Sequence, residues 1–132
     1  MDNETLIKIA LNARKNSYSN VTNFSVGAAL LASSGTVYLG ANIEDPAIIG
    51  LSNCAERVAI QNAYSHGERE FLKIAVVGGP HDSDGLDNIS PCGTCLQYIL
   101  DMCKNVDIVT VENSNIVTKS VKDYLNIPFE LN

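Results

Sequence analysis

Apolar residues return at helical spacing at the start of the chain, where Leu6, Ile9, Ala10 and Ala13 within ETLIKIALNARKN (4–16) predict an amphipathic helix. The runs GAALLA (27–32) and TVYLGANI (36–43) flank Ser33-Ser34-Gly35, the pattern of a β-hairpin. Residues 54–66, CAERVAIQNAYSH, are rich in alanine and stop at Gly67, the residue type that commonly follows a helix C-terminus. The continuous apolar run LKIAVVGG (72–79) contains β-branched residues and predicts a strand buried on both faces. PHDSDGLDNIS then marks a surface loop by its density of Asp, Gly and Pro. Pro91 is expected to open a helix reaching about Cys103, VDIVTVE (106–112) supplies another strand, and SVKDYL a short last helix. Helices that alternate with buried strands predict an α/β fold, a three-layer α/β/α sandwich with a mixed central sheet. No repeat or linker interrupts it, so residues 1–132 are expected to form a single domain.

Composition narrows the partners. A chain of 132 residues with 45% hydrophobic and 18% charged residues is ordinary globular material. The net charge of -6, with only nine Lys and Arg, argues against nucleic acid, because phosphates need a basic face. The N-terminus lacks the features of a signal peptide, and no apolar run approaches the roughly 18 residues that span a bilayer. The expectation is a cytoplasmic protein with no membrane partner. In that reducing setting Cys54, Cys92, Cys95 and Cys103 read as metal-binding, catalytic or core thiols, not disulfides.

Cys92 and Cys95 are separated by two residues and, if Pro91 lies in the first turn of a helix, they share one helical face. A Cys-x-x-Cys alone suits a redox pair or half a zinc knuckle equally well. Cys54 adds a third thiol at the start of another predicted helix, where unpaired N–H groups favour the thiolate that metals bind. Three protein ligands leave a fourth position open, the arrangement of catalytic zinc sites. Their summed charge exceeds that of Zn²⁺, and Arg57 stands where it can hydrogen-bond a sulfur and withdraw part of the excess. Glu56, two residues from Cys54, is placed for general acid–base work on water at the open position, although acidic residues are also favoured at helix starts. Cys103 has no partner at ligand spacing and is expected to be a core or helix-end thiol.

Cys54-Ala55-Glu56 followed downstream by Pro91-Cys92-x-x-Cys95 resembles the zinc-dependent cytidine deaminases, in the small homotetrameric three-cysteine form. NFSVGAALL (23–31) is similar to that family's first strand, ANIE (41–44) to its ribose-binding motif, and CAER (54–57) with SPCGTC (90–95) to its zinc motifs. The resemblance implies one Zn²⁺ per subunit on Cys54, Cys92 and Cys95, with Glu56 shuttling protons. It further implies Asn42 and Glu44, two apart on a strand, on a ribose hydroxyl, Phe24 against the pyrimidine, and the backbone of Ala55 and Ser90 at the base edge and departing amine. The implied reaction converts cytidine or deoxycytidine and water to the uridine compound and ammonia, as in pyrimidine salvage. Partners would be a pyrimidine nucleoside and three further copies of the chain, in a homotetramer with shared sites.

Several stretches depart from the family pattern. Asn20-Val21-Thr22-Asn23 stands where a Pro-Tyr-Ser sequence is usual, DPAIIGLSN (45–53) has one extra residue and Ile48 or Ile49 near a tyrosine's place, and Leu96-Gln97 replaces Arg-Gln. These changes bear on pocket wall and subunit contacts more than on reaction type. They keep in view a deaminase of a modified cytidine or of a cytosine-containing antibiotic such as blasticidin S. A polynucleotide deaminase fits the acidic chain poorly, and a non-catalytic zinc module has no use for Glu56.

Overall fold

The computed structural model describes residues 1–131; Asn132, the last residue of the expected domain, lies outside them. Helix α1 (Asn3–Arg14) starts at Asp2, whose carboxylate accepts the Thr5 N–H at 2.8 Å and so satisfies a donor the helix itself leaves unpaired. The chain continues through β1 (Phe24–Ala32), β2 (Val37–Ala41), a 3₁₀ turn (Ile49–Leu51), α2 (Ala55–Ser65) and β3 (Phe71–Pro80). It closes with α3 (Gly93–Cys103), β4 (Asp107–Glu112), β5 (Asn115–Ser120) and α4 (Val121–Tyr124).

The five strands form one mixed sheet in the order β2-β1-β3-β4-β5. Its β3–β4 pair is parallel and its other pairs are antiparallel. Strand side chains alternate between two cores. Ala28, Leu30, Ile74, Val76 and Ile108 face α2, α3 and α4, while Ala29, Leu31, Ala75, Val77 and Val109 face α1. The α/β/α layering and the two-sided burial expected of β3 are both present.

Three local expectations needed correction. The sequence reading had no strand after Glu112, yet β5 pairs with β4 along its whole length. Asn113 and Ser114 both adopt positive φ (49° and 66°), making the tight two-residue turn for which Asn-Gly is the usual signal, and β5 is an edge strand with no fully buried residue. Pro91 does not open α3: Cys92 is its N-cap, with extended φ −69° and ψ 168°, and Gly93 is its first residue. The two thiols therefore sit at the cap and the third helical position, not within one helical stripe. Asn42 and Glu44 lie past the end of β2, which stops at Ala41, because Ile43 leaves the sheet for isolated bridges to Tyr18 and Asn53.

Gly40 fixes how near α2 comes to the sheet. A Cβ there would stand 2.2 Å from the Ala55 carbonyl oxygen and 2.5 Å from the Ala59 nitrogen, both backbone atoms that cannot step aside alone. Gly40→Ala is expected to push the first turn of α2 outward, costing about 1–3 kcal/mol in denaturant unfolding and lowering metal affinity. Unchanged unfolding and metal content would show that α2 has slack the contacts deny.

Candidate functional site

Both helix starts converge on one point. Cys54 is the N-cap of α2 and Cys92 the N-cap of α3, with Cys95 one turn further on, and the three sulfurs lie within 4.8 Å of one another. The unpaired N–H groups of each first turn lie next to its cap residue, so both helices direct positive partial charge toward the cluster. Cys54 is half-buried, Cys92 exposed and Cys95 buried, which leaves the cluster open on one side. Cys103 is elsewhere, at 5% exposure in the core, where burial pushes its thiol up to about 12.

The sulfur cluster has the electrostatics of a cation site. A hydrogen bond from the Cys95 thiol, opposed by burial and reinforced by Arg57, pulls Cys54 down to about 5. Cys95 keeps the shared proton, held far above the ordinary thiol range by that hydrogen bond and by burial. A divalent ion among the three sulfurs displaces such a proton, and metal binding at thiolates is accompanied by proton release for this reason. The Arg57 guanidinium donates to Cys54 Sγ at 3.4 Å, while its Nε is buried with no protein partner. The soft donor set, the separation of the sulfurs and the surrounding positive charge fit zinc.

Glu56 follows Ala55 in the first turn of α2, is 4% exposed and lines the same cleft. Burial is the main cause that raises its carboxyl to about 7, so near neutrality it takes and gives a proton with equal ease. The cleft encloses about 420 Å³ and brings together, besides the sulfurs, Phe24, Asn42, Glu44, Ala55, Arg57 and Ser90, all named by the sequence reading. Asn42 is already engaged: its Oδ1 accepts the Val26 N–H at 2.9 Å and the Ser17 hydroxyl at 2.5 Å, and its Nδ2 donates to the Phe24 carbonyl at 2.9 Å. Glu44 accepts the N–H groups of Val21 and Thr22, each at 3.1 Å, and the Thr22 hydroxyl at 2.7 Å. Burial alone would raise the Glu44 pKa, but the Thr22 and Val21 hydrogen bonds outweigh it and hold the group below the usual carboxylate range.

Sequence reasoning missed the residues that hold these groups in place. Thr22 falls in a stretch that departs from the family pattern, and its support of Glu44 depends on a contact across 22 residues. Val26, Val76 and Ile89 supply an apolar wall, while Ile49 and Gly50 bring the altered 45–53 loop to the rim. The continuous apolar run of 72–79 marks Val76 as buried, and half-buried Val26 precedes the run of 27–32, but neither pattern says that a residue borders a cleft.

Against known proteins, the family model for the cytidine and deoxycytidylate deaminase zinc-binding region matches residues 1–112. A cytidine deaminase of Halalkalibacterium halodurans is 47% identical over 103 residues, 78% of this chain and 74% of that protein. The crystal structure of a cytidine deaminase from Burkholderia pseudomallei superposes with a TM-score of 0.86 at 38% identity, covering 98% of this chain and all of that one. A blasticidin-S deaminase of Bacillus cereus is more distant, 31% identical over 112 residues, 81% of this chain and 78% of that protein. With three thiols gathered at two helix starts beside a buried carboxyl, and with these matches along most of its length, the chain belongs to the cytidine and deoxycytidylate deaminase family with its zinc-binding region.

Proposed function

We propose that the protein hydrolyses the exocyclic amine of cytidine, deoxycytidine or both, releasing ammonia and the uridine compound. The observation that carries the reading is the cluster of Cys54, Cys92 and Cys95 sulfurs, within 4.8 Å of one another, in a cleft that also contains a buried Glu56. Those thiols would hold one zinc, which when bound supplies a Lewis acid that acidifies water at the site. Glu56 would accept one proton of that water and pass it to the pyrimidine ring nitrogen as the water oxygen bonds to C4, then carry the second proton, from the new C4 hydroxyl, to the amine, which leaves as ammonia when the C4–N bond breaks. Phe24 lies along the base, the backbone of Ala55 and Ser90 meets its edge, and Asn42 and Glu44 receive the sugar hydroxyls. Val26, Val76 and Ile89 exclude bulk water from the reacting edge.

Charge in the cleft favours a nucleoside over a nucleotide. Arg57 is the one cation among the lining residues and it is committed to Cys54, while Glu44 presents an anion. A 5′-phosphate would meet repulsion without a compensating partner. A panel of cytidine, deoxycytidine, deoxycytidine monophosphate and blasticidin S, followed by ammonia release with zinc measured on the same sample, tests the reading. Turnover of the two nucleosides is expected, and inertness toward both would overturn it. The antibiotic remains the second reading because the 45–53 loop, with its extra residue, brings Ile49 and Gly50 to the cleft.

Arg57→Gln leaves the Cys54 sulfur without its guanidinium donor. Activity is expected to fall about 10–100-fold, with the pH–rate profile displaced because water at the site is acidified less. An unchanged profile with unchanged zinc would remove Arg57 from the reaction.

Residues 1–132 acting as one catalytic domain in a cytoplasmic homotetramer with shared sites complete the proposal, and the pathway is pyrimidine salvage. Exposed apolar residues support assembly: Ile48, Ile49 and Leu51 are 60%, 73% and 66% exposed, and Ile127, Phe129 and Leu131 are 86%, 70% and 89% exposed. Sedimentation is expected to give a tetramer; a fully active monomer would refute that part. No helix among the described residues is long and apolar enough to cross a membrane.

A further inference from the structure

Arg14, the last residue of α1, is 9% exposed, and no carboxylate lies within ion-pair distance of it among the described residues. Its guanidinium is enclosed by oxygens instead. Nε donates to the Ser25 carbonyl at 2.9 Å, and Nη2 donates to the carbonyls of Gly79, at 3.1 Å, and Pro80. Ser83 accepts twice, through its carbonyl from Nη1 at 3.3 Å and through its hydroxyl from Nη2 at 3.4 Å. A flat fork of donors reaches several carbonyls at once, which a lysine, with its donors on one atom, does not reproduce.

These oxygens belong to segments that border the cleft. Ser25 stands between Phe24 and Val26, both lining residues, and Gly79 and Pro80 end β3. Beyond them the chain makes an excursion through Ser83, returns to pair Leu86 with Gly78, and runs on to Ile89 and Ser90 in the cleft wall. Gly85 shows that the excursion is built around the guanidinium. It is buried with φ +77°, and a Cβ there would lie 2.7 Å from Arg14 Nε and 2.9 Å from Cζ. A second tie runs beside it: the His81 N–H donates to the Asn23 carbonyl at 2.7 Å, and the Ser25 hydroxyl lies 2.9 Å from both Ser19 Oγ and His81 Nδ1. The 80–86 excursion and the 19–25 turn, whose Val21 and Thr22 hold Glu44, are thus one hydrogen-bonded body with Arg14 inside it.

We propose that Arg14 is a positioning residue for the reaction, locking the 80–90 segment to β1 so that Ile89 and Ser90 keep their places opposite the sugar-binding turn. The proposal rests on the deaminase reading above. Arg14 has no hydrogen bond to the three cysteines or to Glu56 in this structure, so its effect falls on substrate placement, not on metal or proton transfer.

The test compares Arg14→Met, Arg14→Lys and Gly85→Ala with Val109→Ala, a truncation in the core beneath the same helix. Arg14→Met is expected to raise KM for cytidine about tenfold with kcat within about threefold and zinc unchanged. Arg14→Lys should recover only part of the loss, and Gly85→Ala should reproduce it. Val109→Ala should lower the melting temperature without moving KM. Hydrogen exchange gives a readout independent of turnover: amides in 81–90 should exchange faster in the Arg14 and Gly85 variants, with 107–112 unaltered. If Arg14→Met yields no folded protein, the lysine and Gly85 variants decide. An unchanged KM in those two, an equal KM rise in Val109→Ala, or unaltered exchange in 81–90 would each overturn the proposal. A wild type inert toward cytidine would defeat the deaminase reading, and the exchange data would still decide whether Arg14 fixes the segment.

Discussion

Glu56→Gln is expected to lower kcat for cytidine by about 10²–10⁴-fold while zinc content stays at the wild-type level. The glutamine keeps the shape of the side chain and its place in the first turn of α2 but cannot accept a proton. Because Glu56 is 4% exposed and faces the sulfur cluster, no other carboxylate among the cleft residues stands ready to replace it, since Glu44 is bound up with Val21 and Thr22. Full turnover by the glutamine variant would remove Glu56 from the proton transfers. The same substitution has a stability signature in metal-free protein. Folding raises the Glu56 pKa from 4.5 to about 7, so the native state binds more protons than the unfolded chain between those values. The resulting cost is absent below the unfolded pKa, grows as pH rises and is complete above the folded one. Metal-free Glu56→Gln should therefore gain up to about 3 kcal/mol over wild type near pH 8 and nothing near pH 4, read from denaturant midpoints. An equal gain at both pH values would show that ionisation of Glu56 is not its source.

Cys95→Ala should abolish both zinc retention and turnover. Cys95 is the buried member of the cluster and its proton is shared with Cys54, so its replacement leaves two sulfurs and a gap the size of one sulfur atom. Two ligands do not make the three-point site that catalytic zinc requires. The stability linked to metal goes as well: at a free zinc concentration a thousandfold above Kd, binding contributes about 4 kcal/mol, and this increment should vanish from the variant. Chelation of the wild-type protein should reproduce most of that loss. Cys103→Ala serves as the contrast, because its thiol is a core group remote from the cluster and its replacement should leave zinc bound. Stoichiometric zinc in Cys95→Ala, or its loss in Cys103→Ala, would reassign the ligands.

Elements with a strong internal period were legible in the sequence, as α1, the β1–β2 hairpin, α2 and the buried strand β3 show. Each carries its own hydrophobic pattern, and each is bounded by a residue that stops it. Edge strand β5 was not legible, because half-exposed positions give no clean alternation and its turn uses Asn113-Ser114 in place of a glycine pair. The start of α3 was misplaced by two residues for a related reason. Proline is favoured in a first turn, but Cys92 must take the extended cap conformation to turn its sulfur toward Cys54.

The candidate site divides along the same line. Two short motifs and the family they resemble pointed to Cys54, Cys92 and Cys95 as one cluster with Glu56 beside it, and the hydrophobic patterns pointed to the layer architecture, because residue types at fixed spacing within each segment carry that much. Only the tertiary structure decided that Thr22 secures Glu44, that Gly40 admits α2 to the sheet, and that Arg14 ties the end of β3 to β1. Those are agreements between segments far apart in the chain, formed by buried polar groups that must find partners wherever the fold brings them, and a one-dimensional pattern does not encode the distance between them.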